Sequence, residues 1–166
     1  MSTLSFRLAT DADIQALLEL RLAIDADQAA RFGDNRYATT ISEKSVARSL
    51  KSSRILVATR RGQLVGLVSM GKKKPWAVDL KYFTPACKAV YLYNVDVFPE
   101  LQRSGIGREL IDCVKAMAKE WPVDAIRLDA YDGAAGAGPF YEKCGFKKLG
   151  HKVYRSVPLV YYEFVL

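Results

Sequence analysis

Apolar positions along this chain change period several times, and each change marks an element. Phe6, Arg7, Leu8 and Ala9 read as a short strand. Thr10 or Asp11 can cap the helix that follows, in which Ile14, Leu17, Leu18, Arg21 and Leu22 recur at helical spacing. A second helix is expected over 42–50. Two apolar runs, 54–59 and 64–70, flank Arg61-Gly62-Gln63 and predict an antiparallel hairpin. Residues 71–88, with Pro75, Trp76 and Pro85, read as a long aromatic-bearing loop, a length that compact domains often reserve for function. Residues 89–98 form the strongest strand signal, interrupted by Asn94, where a bulge or splay is expected, and ended by Pro99.

From Gly105 to about Glu120 a helix is predicted, because Ile106, Leu110, Ile111, Val114, Met117, Ala118 and Trp121 make one apolar stripe that Pro122 stops. A strand over 125–130, a short helix over 135–143 closed by Gly145, and strands over 146–149 and 160–166 complete the order β-α-α-β-β-β-α-β-α-β-β. That order implies an α/β chain in which a mixed sheet carries helices on both faces. The apolar last strand is expected at a sheet edge, where a second copy of the chain would cover it and make a homodimer.

Composition narrows the class. Of 166 residues, 50% are hydrophobic and 26% charged, enough for a packed core and inconsistent with disorder. Lys and Arg interrupt every long apolar run, so no membrane span is expected, and the first residues lack the pattern of a secretory signal. Cys87, Cys113 and Cys144 share no metal-type spacing, which points to a reduced, cytoplasmic setting without metal. The net charge of +7 suits an anionic ligand, a phosphate-rich cofactor or nucleic acid without choosing among them. Lys72-Lys73-Lys74 and Arg60-Arg61 read as solvated turns.

The chemistry is carried by residues 95–108. A buried strand runs into a polar, glycine-bearing turn and then directly into an amphipathic helix. A helix start offers unpaired N–H groups and the positive end of the dipole, which together bind phosphate. Gly105 and Gly107 let the backbone approach an anion, and Arg103 and Arg108 add charge beside it. A dinucleotide fingerprint would need glycine where Leu110 stands, and no G-x-x-x-x-G-K-[ST] loop is present.

About 40 residues downstream lies Gly138-Pro139-Phe140-Tyr141-Glu142-Lys143-Cys144-Gly145-Phe146. The order of elements, V-x-P-x-x-Q-x-x-G-x-G over 97–107 and F-Y-E-K-C-G-F over 140–146 together closely resemble the GNAT superfamily of acyl-CoA-dependent N-acyltransferases. The resemblance covers the chain from about Phe6 onward and rests on those two motifs. It implies a central mixed, mostly antiparallel, splayed sheet flanked by helices, in one N-acetyltransferase domain over 1–166.

It further implies that backbone amides of Gln102, Arg103, Ser104, Gly105, Ile106, Gly107 and Arg108 hold the pyrophosphate of acetyl-CoA. Val95, Asp96 and Val97 would pair with its pantetheine arm as an added strand does. Tyr141 matches the family tyrosine that protonates the departing thiolate, a role suited to a phenol that stays protonated at neutral pH. Two positions depart from the pattern. Ala134 stands where many members carry a cofactor-contacting Asn, and Tyr91, Leu92 and Tyr93 stand where some carry a general-base Glu. The base is therefore unassigned among Asp96, Asp129, Asp132 and Glu163, or a water chain. The implied reaction is direct attack of a primary amine on the thioester in a ternary complex, with the cysteines as bystanders and His151 a surface residue. A small-molecule acceptor is preferred to a protein tail, since no acidic groove is evident, and Tyr91, Tyr93, Trp76, Tyr82, Phe83, Tyr161 and Tyr162 either wall its pocket or pack in the core. The rival readings are a catalytically silent acyl-CoA-binding domain and a basic nucleic-acid-binding module; the latter leaves both motifs unexplained.

Overall fold

The computed structural model describes residues 3–33, 40–85 and 87–166. Its elements follow the expected order: β1 (Leu4–Leu8), α1 (Ile14–Phe32), α2 (Glu43–Ser52), β2 (Arg54–Arg60), β3 (Gln63–Gly71), β4 (Ala89–Val97), α3 (Ile106–Lys119), β5 (Ala125–Tyr131), α4 (Gly138–Lys143), β6 (Lys147–Tyr154) and β7 (Val157–Val165). The strands form a seven-stranded sheet in the order β1-β2-β3-β4-β5-β7-β6. The ladders β1–β2, β2–β3, β5–β7 and β6–β7 are antiparallel and β4–β5 is parallel. The mixed, mostly antiparallel sheet flanked by helices is therefore present.

The chain divides into two compact units. The first comprises Met1–Met70 and Asn94–Val114, the second Gly71–Tyr93 and Lys115–Leu166. In the first, the chain leaves β1 through a clamp: Arg7 donates from both terminal nitrogens to Asp13, at 2.8 Å each, and Asp13 also accepts from Thr10 N at 2.8 Å. The guanidinium holds the Asp13 carboxyl below its ordinary value. Ser42 and Ser45 cap α2 reciprocally, each side chain accepting from the other's amide. Leu17, Leu20, Val46, Ile55, Val57 and Leu67 then form the core of this unit. Burying each such side chain contributes roughly 1.5–3 kcal/mol.

In the second unit the core is aromatic: Val78, Phe83, Tyr91 and Tyr161 pack together, with Tyr82, Tyr93 and Leu149 against them. Across it runs a buried ion pair, Arg127 Nε to Glu163 Oε2 at 2.7 Å. Arg127 also donates to Thr84 O at 2.8 Å, and Thr84 donates from its amide and hydroxyl to the second Glu163 oxygen. One pair thus staples the 72–88 segment to β5 and β7.

Residues 155–156 correct the reading of the C-terminal strands. Their span is longer than the sequence suggests, and they form one hairpin closed by Arg155 and Ser156 at φ 48° and 66°. Such two-residue turns normally need Asn or Gly, so neither residue announces one. β7 consequently lies between β5 and β6, not at an edge. The expected open strand is covered by β6 of the same chain, and the argument for a dimer across it falls. Likewise α4 begins at Gly138, not at 135.

Candidate active site

The first unit assembles residues 95–108 from the end of β4, one 3-10 turn and the start of α3. Pro99–Leu101 make the turn, after which Gln102 folds back so that its side-chain amide donates to Val97 O at 3.1 Å. Gln102 N donates to Pro99 O at 3.3 Å, and the Ser104 hydroxyl donates to Leu101 O. Gln102 and Ser104 therefore shape the loop with their side chains. Arg103 at φ 62° and Gly105 at φ 92° then turn the chain into α3. Alternating left-handed residues of this kind aim successive amides into one concavity.

The first α3 hydrogen bond runs from Glu109 N to Gly105 O at 3.0 Å. The amides of Ile106 and Gly107 lie before that bond, in the first turn, where a helix has no acceptor of its own to offer. Ile106, 1% exposed, anchors this helix start in the core, while Arg103, Ser104, Gly105 and Arg108 are exposed. A Cβ built on Gly105 would meet nothing within 4 Å, so the space before the helix is open and the glycine is required by its φ. Behind the site, a Cβ on Gly66 would come within 3.1 Å of both Asp96 O and Leu110 Cδ1. Gly66 sets how closely β3 backs β4 and α3, a role that one glycine in an apolar run does not disclose. Asp96 is half-buried, and burial pushes its carboxyl up against the lowering influence of Arg21.

The second unit carries Tyr141 on α4. The residue is 8% exposed, its ring set among Phe140 at 5.2 Å, Phe146 at 5.8 Å and Tyr162 at 5.9 Å. The one-and-a-half-turn helix is held from its far end, where Lys115 donates to Cys144 O while its ammonium lies 4.1 Å from the Phe164 ring centroid. The small-residue run before α4 has a steric origin. A Cβ on Gly136 would strike Tyr131 O, and one on Gly138 would lie 2.5 Å from Tyr162 Oη.

The four candidate bases separate clearly. Glu163 is consumed by Arg127 and Thr84, and Asp132 lies on the surface against His151 Nδ1 at 2.7 Å. His151 is exposed, as expected. Asp96 sits in the first unit beside Arg21. Asp129 is on β5, two residues beyond Arg127, which closes the three-pair register with β4. It faces Tyr161 across the β5–β7 ladder, and burial pushes its carboxyl above the ordinary value.

Of the aromatic residues weighed as a pocket wall, Phe83, Tyr91, Tyr161 and Tyr162 are buried, and Trp76 stands out at 84% exposed. Burial, Glu109 and Asp112 raise the Cys113 thiol, which disfavours its thiolate. Among the described residues, no three of His, Cys, Asp and Glu converge as a metal-holding group, and no helix is long and apolar enough to cross a membrane.

A strand, a left-handed turn and an open helix start make up the first unit's candidate site, and comparison with known proteins gives the family. The acetyltransferase (GNAT) domain model matches residues 23–163. The chain belongs to the GNAT acetyltransferase family, and it is an acetyltransferase. Among solved structures, ribosomal-protein-alanine N-acetyltransferase from Brucella melitensis is similar with TM-score 0.73 and 24% identity, over 98% of this chain and 99% of that one. PaiA N-acetyltransferase from Thermoplasma acidophilum, in complex with coenzyme A, matches at TM-score 0.71 and 17% identity over 98% and 99%. The yncA protein from Salmonella typhimurium, solved with its cofactor acetyl-CoA, matches at 0.70 and 20% over 98% and 94%. No curated protein sequence matches the chain.

Proposed function

We propose that this protein transfers an acetyl group from acetyl-CoA to a primary amine, by direct attack in a ternary complex, and that the acceptor is a small molecule. The single observation that carries the reading is the open helix start at Gly105, with its φ of 92° and nothing within 4 Å of where a Cβ would stand. The amides of that helix start, with Arg103 and Arg108 beside them, have the chemistry a pyrophosphate requires. The family match spans both units, which supports treating residues 1–166 as one acetyltransferase domain.

Acetyl-CoA supplies an activated thioester when bound. In this reading the backbone of Val95, Asp96 and Val97 pairs with the pantetheine amides, and the Val97 amide stabilises the developing oxyanion. Holding amine and thioester in line contributes much of the rate. Tyr141, set among aromatic rings, gives its phenol proton to the departing sulfur. Asp129 takes the proton from the attacking amine. A base with a raised value ionises later, so the rate falls as pH drops through that raised value, above the range of an ordinary carboxylate.

The test is isothermal titration with acetyl-CoA, followed by thiol release over a panel of polyamines, amino acids, arylamines and N-terminal peptides. Binding with release for one small-amine class is expected. Release only with peptides would overturn the small-molecule acceptor. Binding without release for any amine would leave a silent acyl-CoA-binding domain, and absence of binding would remove the cradle. Asp129→Asn should abolish the acid limb of the pH profile; a limb that persists would return the role to solvent or to the amine itself.

A further inference from the structure

The 72–88 segment takes no part in the proposed chemistry, yet it is built with care. It holds five lysines and one aspartate, a local +4 out of the chain's formal +7. Lys74 Nζ donates to Pro75 O at 3.0 Å and to Val78 O at 2.8 Å, Val78 N returns to Pro75 O at 3.1 Å, and Tyr93 Oη donates to Lys73 O at 2.7 Å. Tyr161 Oη donates to Ala77 O, and Lys152 holds Asp79 at 2.7 Å. The backbone on both sides of residue 76 is thus pinned to the aromatic core beneath it.

What this pinned turn presents is one indole. Trp76 is 84% exposed, and Lys72 and Lys73, four and three positions before it in the same segment, are exposed as well. An exposed Trp on a mobile tail would mean little. A Trp whose flanking backbone is hydrogen-bonded on either side has already lost the backbone freedom that binding would otherwise cost. Lys74, Lys81 and Lys152 are turned to carbonyls or to Asp79, whereas among the described residues no carboxylate pairs with Lys72 or Lys73.

We propose that this face is a docking surface for single-stranded nucleic acid, in which a base stacks on Trp76 while Lys72 and Lys73 take neighbouring phosphates. A π-platform beside backbone-neutralising cations is the arrangement that binds single strands without reading sequence. Its local charge of +4 against one exposed indole and one exposed leucine, Leu80, favours a polyanion over a lipid surface, which demands more apolar area. This is a second surface on an acetyltransferase and uses none of the residues of the cradle, so either proposal can fail alone.

The experiment uses the full chain with saturating acetyl-CoA and an eight-residue oligouridylate. Trp121→Phe leaves Trp76 as the sole indole, and saturable quenching of its fluorescence by the oligonucleotide at low salt is expected. By anisotropy of a labelled oligonucleotide, Trp76→Ala should weaken binding about tenfold or more. The double substitution Lys72→Ala, Lys73→Ala should lower the slope of log K against log salt by about 1.4. Since these side chains are exposed, thermal melting should not move. Oligonucleotide binding indifferent to Trp76→Ala, no binding at low salt, or a blue shift with phosphatidylserine vesicles in place of quenching by the oligonucleotide would each overturn the proposal.

Discussion

In the first unit the groups proposed to hold acetyl-CoA are main-chain amides, carried by Gly105, Gly107 and the turn before them, and the side chains of Gln102 and Ser104 are spent on shaping that turn. In the second, the proposed chemistry rests on side chains, Tyr141 and Asp129, and the framework too depends on side chains, those of Arg127, Glu163 and Thr84. A backbone site is damaged by adding a Cβ or forcing φ. A side-chain site is damaged by taking atoms away. The two units should therefore answer opposite kinds of substitution.

The largest effect should follow from Glu163→Gln or Arg127→Met, which leave one buried charge unpaired. A loss of roughly 3–5 kcal/mol in chemical denaturation is expected, and a loss under about 1 kcal/mol would show that the second unit does not depend on that pair. Next, Tyr141→Phe should lower kcat by about 10²- to 10⁴-fold with the acetyl-CoA Kd little changed. If Kd rises in step with the loss of kcat, Tyr141 belongs to binding and the division between the units blurs. Gly105→Val should weaken acetyl-CoA by roughly 5- to 150-fold, the conversion of about 1–3 kcal/mol of left-handed strain. Arg103→Ala should cost clearly less than that, and the reverse order would make the cradle a side-chain site after all. The smallest effect sharpens a contrast within the framework. The β2–β3 hairpin turns on Arg61-Gly62 and the β6–β7 hairpin on Arg155-Ser156, all at positive φ. Relief of about 1–2 kcal/mol of strain, less about 0.5–1 kcal/mol of glycine entropy, predicts that Ser156→Gly stabilises by roughly 0.5–1 kcal/mol. Ser156→Gly lowering the melting temperature would contradict that turn.

The same contrast explains what could be read from the sequence. The first unit's site is a local pattern, since strand, turn and helix start are consecutive and each announces itself through β-branched residues, glycine or an apolar stripe. The element order and the α3 stripe were legible for that reason. The second unit's features depend on residues far apart in the chain. Arg127 and Glu163 lie 36 positions apart and Thr84 lies 79 from Glu163, and no periodicity links them. Among four acidic candidates, the pairing of Glu163 with Arg127 and Thr84 separated it from Asp129, and such pairing is a property of packing. The β6–β7 turn escaped because Arg and Ser do not advertise a left-handed conformation. The edge assignment for the last strand failed with it, since a strand's neighbours depend on the hairpin that precedes it.

The route of the chain through the two units has one more consequence. Residues 71–93 interrupt the first unit, and residues 94–114 interrupt the second. Neither is a contiguous stretch that could be cut out and expressed alone. During synthesis, the first unit lacks its closing strand half and helix start until about residue 114 has emerged, several seconds after Met70 at roughly 5–20 residues per second. For that interval the β2–β3 hairpin, with its buried apolar face, must wait without β4. A nascent chain stalled between 70 and 94 should therefore be the form most in need of a chaperone.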